Sequence, residues 1–410
     1  MDEFDLAVVG GGVAGAAIAG RMSAAGAAVL VLEQSEQFVD RVRGEFMAPW
    51  GAREAIDLGL WSVLNAVEHC NVITRMAPFD ETVPEAVALS TMRDLSVALP
   101  GVPGALGISH PGLSEALLSH AASCGATVIR GTSSTQVVRG TTPSVQWEHG
   151  GGTFTSTARL VIATDGRASI TRRQFGLVLH ETEATRFLAG MLVADTDGWP
   201  REVGCLGVEG DRELIVFPQA DGFTRVYVGW SIEQPTRFAG TERQRRFLDC
   251  TRAACTSWSD AIADGTPAGP CSWFPMSDSW LDDPVDDGVV FAGDAAGWSN
   301  PLIGQGLSVA MRDARVLTDA LMADERWTID ALRAYADERA ERMRRLRVSL
   351  AVNQLSYGFG HDAAERRVRI RDAMHADPDL GLVRTTNMVG PWDVPAHAFT
   401  DEAYAAIAAC

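Results

Sequence analysis

Lysine is absent from this chain of 410 residues, so all 35 of its basic side chains are arginine. This absence excludes chemistry that depends on a primary side-chain amine, such as a Schiff base or a phosphate-loop lysine. The 53 carboxylates outnumber the arginines and give a formal net charge of -18. Because that charge repels phosphate backbones and anionic lipids, we expect neither nucleic acid nor a membrane surface as a partner.

Long apolar runs are also missing, since none approaches the roughly 20 residues that span a bilayer. The first apolar run, Leu6–Val9, leads directly into glycines, as a buried strand does and a signal peptide does not. We therefore expect a cytoplasmic location. The seven cysteines include no C-x-x-C pair. We expect reduced thiols and no metal site, with a redox couple of Cys250 and Cys255 as the alternative.

The pattern of apolar residues predicts two kinds of sheet. Residues 5–35 have the pattern of a strand, a glycine turn, a helix and a second strand. Residues 113–124 predict an amphipathic helix, and a strand, ATVIRG, follows it. Between 183 and 235, short strands alternate with turns, which indicates a separate antiparallel sheet. A buried strand is predicted at 285–292, followed by the helices 304–322 and 327–357.

The segment SVQWEHGGGTFTS predicts a hairpin whose turn contains the HGGG at 149–152. This HGGG resembles an esterase oxyanion motif, but the chain has no G-x-S-x-G to supply a nucleophile. We therefore interpret it as a turn.

The first motif of chemical interest is G-x-G-x-x-G, formed by Gly10, Gly12 and Gly15 between the first strand and helix. These glycines permit a tight turn, approach of a pyrophosphate to the backbone and close helix–strand packing. Glu33 ends the second strand, 18 residues after Gly15, where a carboxylate can bind ribose hydroxyls. The order of these elements predicts binding of an ADP group.

Two further signatures lie far along the chain. ATDGRASITRR contains Asp165, Gly166, Ser169 and Arg172 as D-G-x-x-S-x-x-R. The second glycine-rich segment, GDAAGWSNPLIGQG, runs from Gly293 to Gly306. With these three signatures in order across roughly the first 320 residues, the sequence closely resembles the FAD-dependent aromatic hydroxylase superfamily, which includes p-hydroxybenzoate hydroxylase.

The resemblance implies an α/β fold with a Rossmann-like, discontinuous FAD-binding domain, an antiparallel substrate domain and C-terminal helices. We predict the FAD-binding domain at 1–75, 105–180 and 285–325, the substrate domain at 76–104 and 181–284, and the helical region at 326–410. Oligomeric state and the role of residues 361–410 are left open.

The resemblance also implies which residues bind FAD. Asp294 is expected at a ribityl hydroxyl, Pro301 beside the flavin ring, and Asp165 and Gly166 near both FAD and a transient NAD(P)H donor. Gly304, Gln305 and Gly306 are expected to open a helix towards the pyrimidine side of the ring. Ser169 and Arg172 bind there or only brace the loop. The other expected FAD contacts are Val13, Ala14, Gln34 and Leu307.

Two positions near the expected flavin stand apart from these signatures. Arg43, in RVRGEF, matches the arginine of the superfamily near the flavin and its pyrophosphate, with an exposed surface arginine as the alternative. His110 occupies a place where the superfamily has arginine or glutamine. A histidine can still donate one hydrogen bond to the flavin linker.

The reaction implied by the resemblance is hydroxylation of an aromatic or polycyclic small molecule through a flavin C4a-hydroperoxide, with NAD(P)H and O2. Such chemistry needs a dry, apolar pocket. A setting in secondary metabolism is expected from the arginine-rich, lysine-free composition. The candidates for the pocket, each of which is alternatively a core residue, are Met47, Pro49, Trp50, Phe217, Trp230, Trp273, Phe274, Trp298 and Asn300.

Other reactions occur on the same scaffold. Flavin-dependent halogenases need a lysine and a W-x-W-x-I-P stretch, and this chain has neither. A geranylgeranyl-reductase-like saturase is the main alternative, although the segment from Glu213 to Pro218 keeps only the F-P of the Y-x-W-x-F-P element. A two-component monooxygenase supplied with reduced FAD and a non-catalytic flavoprotein, docking through the arginine-rich stretch 337–349, also stay open.

Overall fold

Two large β-sheets and a group of C-terminal helices make up the structure, a computed structural model that describes residues 2–360 and 362–410. Met1 and His361, which fall in the predicted FAD-binding and C-terminal regions, lie outside the described residues. The strands are β1 (Asp2–Val9), β2 (Val29–Glu33), β3 (Phe46–Met47), β4 (Asn71–Ile73), β5 (Arg75–Ala77), β6 (Arg93–Asp94), β7 (Ala105–Gly107), β8 (Thr127–Arg130), β9 (Ser133–Val138), β10 (Ser144–His149), β11 (Gly152–Ala163), β12 (His180–Glu181), β13 (Arg186–Ala194), β14 (Val203–Glu209), β15 (Arg212–Pro218), β16 (Thr224–Ser231), β17 (Thr266–Pro267), β18 (Ser272–Pro275), β19 (Ser279–Trp280), β20 (Val285–Asp286) and β21 (Val289–Phe291).

The helices are α1 (Val13–Ala24), α2 (Pro49–Asp57), α3 (Trp61–Asn65), α4 (Glu85–Ser90), α5 (His110–Ser123), α6 (Ile170–Gln174), α7 (Arg243–Thr251), α8 (Ser259–Ala263), α9 (Gly306–Ala323), α10 (Ile329–Ser356), α11 (Ala363–Ala376), α12 (Pro378–Val389) and α13 (Asp401–Ala408). Short 3-10 helices cover Gly293–Ala296, Pro301–Ile303 and Ala396–Phe399.

The first large sheet has the order β20-β21-β11-β1-β2-β8, and β10 and β9 extend it beside β11. Its centre is parallel, since β1 pairs in parallel with both β11 and β2, and β11 with β21. Helices cover the parallel strands, which explains why β1 and β2 are continuous apolar runs. The predicted hairpin around HGGG is confirmed, because β10 and β11 pair antiparallel on either side of it.

The second large sheet has the order β17-β13-β16-β15-β14-β5-β6, with β18 also beside β13. β13, β16, β15 and β14 form an antiparallel series, as predicted for residues 183–235. Two short strands from earlier in the chain, β5 and β6, extend its far edge. β15 and β16 are buried along nearly their whole length, so this sheet is also covered on both faces.

Helix α1 joins the first sheet to the remaining helices by packing against α5 and α9. Small residues allow these close approaches: a Cβ added to Gly20 would lie 3.4 Å from the Cα of Ala121 on α5. Helix α10 packs against both α9 and α12, and so connects the signature-bearing part of the chain to its C-terminal helices. The residues after 361, where no helix or strand was predicted, include α11 to α13.

A buried ion network joins α9 to α10. Asp313 on α9 lies 2.6 Å from a guanidinium nitrogen of Arg342 and 3.1 Å from one of Arg339, and all three side chains are almost fully buried. Asp313 also accepts a hydrogen bond of 2.8 Å from the backbone of Gly293, and Arg339 donates to the carbonyls of Ala296, Gly293 and Gly297. The network therefore holds the turn that begins the second glycine-rich segment.

The predicted fold class is confirmed: a mixed α/β chain with a parallel, helix-covered sheet, an antiparallel sheet and C-terminal helices. One detail differs, since the strand before Asp294 ends at Phe291 and Asp294 lies in a 3-10 turn. The predicted domain boundaries stay predictions. Among the described residues, no helix combines the length and apolar character needed to cross a bilayer.

Replacing Asp313 with alanine should lower the free energy of unfolding by about 3–5 kcal/mol, because Arg339 and Arg342 would stay buried with one partner fewer. The measurement is urea denaturation of the purified protein, followed by circular dichroism. The matched control is Asp249→Ala, whose exposed pairing with Arg245 at 3.9 Å should contribute less than about 1 kcal/mol. Equal losses in the two variants would contradict the assigned role of Asp313.

Candidate functional site

The three signatures meet at the carboxyl end of β1. Gly10 has a φ of +103°, and a Cβ there would lie 2.5 Å from the carbonyl oxygen of Thr164, next to the second signature. The Thr164 hydroxyl donates a 2.7 Å hydrogen bond to the Gly10 carbonyl. On the other side, a Cβ on Gly293 would lie 3.1 Å from the Cβ of Ala14. The fold therefore brings together residues that are 154 and 279 positions apart in the sequence.

Glu33 lies beside the first glycine turn, at the end of β2, and is 6% exposed. Its carboxylate accepts hydrogen bonds from the backbone of Gly11 at 2.8 Å and of Ser35 at 2.7 Å. These bonds fix the carboxylate next to the N-terminus of α1, and each oxygen has further capacity to accept. The neighbouring Gln34 side chain is exposed.

The second signature is fastened to the third. Asp165 accepts hydrogen bonds of 3.0 Å from both the backbone and the hydroxyl of Thr171, while its Oδ1 is buried without a partner among the described residues. Ser169 accepts from the backbone of Arg172 at 3.0 Å, and the Arg172 guanidinium donates to the carbonyl of Ala295 at 2.8 Å. The contacts of Ser169 and Arg172 are those of loop-bracing residues.

Positive charge gathers around Asp294. Its carboxylate lies 3.1 Å from the guanidinium of Arg167, which in turn lies over the ring of Trp298. The Arg43 guanidinium lies 4.7 Å from the centre of the Phe274 ring. Although solvent reaches Arg43, the protein around it and the nearby Arg167 charge lower its pKa. Two guanidinium groups, those of Arg43 and Arg167, therefore lie close to the single carboxylate of Asp294.

His110 begins α5 close to this cluster. Desolvation lowers the pKa of its imidazole, so the ring is neutral at pH 7 and has one N–H to donate. A Cβ added to Gly44 would lie 2.7 Å from the His110 ring and 3.6 Å from Leu307. The fold thus places His110, the RVRGEF segment and the start of α9 side by side.

The end of the second glycine-rich segment forms a turn followed by a helix. Pro301 begins a 3-10 turn, Gly304 has a φ of +64° and lies against the Phe46 ring, and Gly306 begins α9. The Gln305 side chain is fully buried. It accepts a 2.6 Å hydrogen bond from the indole of Trp50 and donates to the carbonyls of Ile303 and Asn387. The side chain of Gln305 therefore positions the turn.

A mainly apolar cavity adjoins Gly304, with about 750 Å³ of space, part of it open to solvent. One wall includes Phe46 and Phe217, whose rings stack with centres 4.2 Å apart. Strands of the second sheet and the helices α10 and α12 supply most of the rest. The other lining residues are Met76, Ala77, Pro78, Thr91, Arg93, Leu206, Ile215, Leu302, Ile303, Asn353, Tyr357, Arg384, Asn387 and Met388.

Of the predicted pocket residues, Phe217 lines this cavity and the others lie elsewhere within the described structure. Met47 packs in the core beneath α1, and Trp230 is fully buried in the second sheet against Phe187 and Phe238. At these two positions the structure shows the core residue that was the alternative to a pocket residue, because an aromatic or apolar side chain in a strand fits either.

The remaining candidates have other contacts. Pro49 and Trp50 are buried at the start of α2, where Trp50 binds Gln305. Asn300 caps the turn before Gly304 by accepting from the backbone of Leu302 at 3.0 Å. Trp273, Phe274 and Trp298 lie beneath Arg243, Arg43 and Arg167, respectively.

Several lining residues were missed from the sequence. Leu302 and Ile303 lie between two residues already singled out, and Phe46 follows the RVRGEF arginine by three positions, so proximity to the signatures was the available signal. Arg384, Asn387 and Met388 come from α12 and Arg93 from a two-residue strand. No motif marks these four positions.

With this geometry established, comparison with known proteins identifies the family. A family model described as an FAD binding domain matches residues 3–348. The crystal structure of a p-nitrophenol 4-monooxygenase from Pseudomonas putida is similar, with a TM-score of 0.75, 20% identity, and coverage of 94% of this chain and 97% of that one.

Two curated relatives are more limited matches. Squalene epoxidase 2 of Arabidopsis thaliana is 26% identical over 350 residues, which is 77% of this chain and 54% of the relative. A kynurenine 3-monooxygenase of Salinispora tropica is 30% identical over 188 residues, 42% of this chain and 41% of the relative. The chain thus spans about half of the length of these relatives. It belongs to the FAD binding domain family and is a flavoprotein of the aromatic hydroxylase superfamily, with FAD as its cofactor.

Proposed function

We propose that the protein is an FAD-dependent monooxygenase that hydroxylates an aromatic or polycyclic small molecule with NAD(P)H and O2. The observation that carries the proposal is the joining of an FAD-type site to an apolar cavity at one turn. Gly304 and its neighbours Leu302 and Ile303 belong both to the third signature and to the cavity lining. A substrate in the cavity therefore lies against the segment expected beside the flavin ring.

The residues present fit FAD, as the glycines show. A Cβ added to Gly12, Gly166 or Gly306 would have no protein atom within 4 Å, whereas one on Gly10 or Gly15 would collide with backbone. The first three glycines therefore border open space. Since no side chain caps α1 or α9, the N–H groups at both helix N-termini are free to bind negative charge.

Each part of FAD has candidate partners in this chain. The pyrophosphate is assigned to the N-terminus of α1 and to Arg43, and the adenosine ribose to Glu33. Asp294, held by Arg167, is assigned to a ribityl hydroxyl. His110 is positioned to donate a hydrogen bond towards the linker. The N-terminus of α9 is assigned to the pyrimidine side of the ring, where its dipole would stabilise negative charge.

Bound FAD would supply the redox chemistry that couples oxidation of NAD(P)H to reduction of O2. The overall reaction converts substrate C–H, O2, NAD(P)H and a proton into substrate C–OH, water and NAD(P)+. The protein positions the substrate and excludes water from the reaction site. Phe46 and Phe217 offer a flat apolar wall for an aromatic ring, and Leu302 and Ile303 would exclude water beside the flavin.

The setting of the reaction is also proposed. We infer a single-component enzyme of the cytoplasm that acts in secondary metabolism, the last on the basis of its arginine-rich, lysine-free composition. The absence of a second G-x-G-x-x-G for NAD(P)H is expected for this superfamily and leaves the two-component alternative open. Because the chain has no separate dinucleotide-binding motif for NAD(P)H, we expect this donor to dock transiently near Asp165 and Gly166. The saturase alternative lacks support, because β15 does not carry the aromatic residues of that family before Phe217.

Replacing Gly12 with leucine should abolish FAD binding while the apoprotein keeps its fold. The new side chain would enter the open space at the α1 N-terminus, and the φ of -71° at this position suits any L-residue. The measurements are flavin absorbance after reconstitution and thermal unfolding of the apoprotein. Gly15→Ala is the contrast: its Cβ would collide with the Gly10 carbonyl, so this variant should destabilise the apoprotein itself. Full flavin content in Gly12→Leu would contradict the assignment.

Replacing Asp294 with alanine should weaken FAD retention by roughly tenfold or more, because a charged hydrogen bond contributes about 1.5–3 kcal/mol. Asp294→Asn keeps a hydrogen-bond acceptor and should lose less. Both losses are measured as dissociation constants by fluorescence titration of the apoprotein with FAD. Unchanged affinity in Asp294→Ala would remove Asp294 from the site.

The reaction itself is tested by supplying the FAD-loaded protein with NADH or NADPH and a panel of phenols and polycyclic aromatics under ¹⁸O2. We expect donor oxidation that depends on a panel member and a product carrying one ¹⁸O atom. Activity only with a separate reductase would show a two-component enzyme. Reduction of an alkene without oxygen incorporation would establish the saturase, and no turnover with any donor would leave a binding module.

A further inference from the structure

Two arginines in the cavity lining have no acidic partner. Arg93 lies on β6 and Arg384 on α12, and among the described residues no carboxylate lies within ion-pair distance of either guanidinium. Arg225, which is fully buried, donates 2.7 Å hydrogen bonds to Asp40 and Glu45. Arg93 is exposed and Arg384 is partly buried, so both guanidinium groups are open to a ligand in the cavity.

Arg384 has unused hydrogen-bonding capacity. One of its terminal nitrogens donates to the hydroxyl of Tyr357 at 3.2 Å and the other lies 3.7 Å from the sulfur of Met374. Its Nε is buried and has no partner among the described residues. A buried donor without an acceptor is unfavourable unless a ligand or water supplies one.

Arg93 lies in the same electrostatic environment. Its neighbour Asp94 is turned to Ser96, from which it accepts hydrogen bonds of 2.9 Å and 2.6 Å, and so does not neutralise Arg93. Solvent reaches Arg93 within the cavity, yet the surrounding protein and the charge of Arg384 lower its pKa. An anion bound near both side chains would relieve this repulsion.

The two asparagines of the lining are less suited than the arginines to bind the charged group of an anionic ligand. Asn387 accepts a hydrogen bond from the Ser349 hydroxyl through its side chain, and the Asn353 amide donates to the Ser349 carbonyl. Each of these amides therefore has one end paired within the protein, and neither carries a charge that could balance an anion. The remainder of the wall, including Phe46 and Phe217, is apolar and suits the ring of a ligand rather than its charged group.

We propose that the cavity takes an aromatic carboxylate, whose carboxyl group is bound by Arg93 and Arg384 while its ring packs on Phe46 and Phe217. This inference rests on the proposed function for its conclusion that the bound acid is the substrate. A planar guanidinium matches the two oxygens of a carboxylate, and hydrogen bonds to charged groups are stronger than those between neutral groups.

Binding of matched acids and amides to the FAD-loaded protein, without any electron donor, tests the proposal. The probes are the three hydroxybenzoates and the corresponding hydroxybenzamides, with phenyl phosphate as a second anion. Calorimetry and the visible spectrum of the bound flavin report binding without turnover. We expect at least one acid to bind roughly ten- to a hundred-fold more tightly than its amide, and phenyl phosphate to bind more weakly than that acid.

The variants Arg93→Gln and Arg384→Gln should each weaken binding of the acid by roughly tenfold and leave the amide unchanged. Arg75→Gln is the matched control, because it removes an exposed arginine from the neighbouring strand β5, outside the cavity lining, and should change neither affinity. Retained flavin content and unfolding temperature would show that the variants fold.

Equal affinities for acid and amide, no binding of any acid, or a preference that persists in the double variant would overturn the proposal. Tighter binding of phenyl phosphate would overturn the choice of carboxylate. The outcome is separable from that of the proposed function. An acid that binds through both arginines but is not oxidised would refute the monooxygenase and leave the carboxylate site in place.

Discussion

The buried contact between Asp313 and the arginines of α10 is the constraint on which the flavin half of the site depends. The turn from Gly293 to Gly297 consists mostly of glycine and alanine, whose side chains cannot hold its shape, and it carries Asp294, the residue proposed to bind a ribityl hydroxyl. The network solves this by binding backbone: Asp313 takes the N–H of Gly293, and Arg339 takes three carbonyls of the turn. Because Asp313 lies seven residues after Gly306 on α9, the same helix fixes both ends of the segment.

The ADP half is built on a different principle, in which close packing replaces charge. Gly10 and Gly15 let β1, α1 and the strand end at Thr164 approach to distances that a Cβ would prevent. The carboxylate of Glu33 then accepts a hydrogen bond from the backbone N–H of Gly11 and so holds this turn in place. Small residues therefore shape the turn proposed to bind the phosphates, while buried ions hold the turn proposed to bind the flavin.

This difference explains what the sequence could predict. Steric requirements are local and leave a spaced pattern of glycines, so the turns, the strands around them and the order of the three signatures could be read directly. The antiparallel series β13 to β16 could also be read, from alternation and turn residues. The sequence could not show whether a buried strand residue faces the core or the cavity. Trp230 and Phe217 both lie in buried strands, and tertiary packing alone decides that Trp230 faces the core and Phe217 the cavity. Long-range pairs such as Arg225 with Glu45 leave no periodic trace at all.

The walls of the cavity have two separate origins within the chain. Phe46, Leu302 and Ile303 belong to or adjoin segments that FAD binding constrains, whereas Arg384 and Met388 come from α12, which carries none of the three signatures. Apart from the hydrogen bond between Gln305 and the Asn387 carbonyl, α12 is free to vary without altering the residues assigned to FAD. Substitutions on the cavity face of α12 are therefore expected to change which ligand binds more than they change FAD binding, so selectivity and redox chemistry are carried by different parts of the chain.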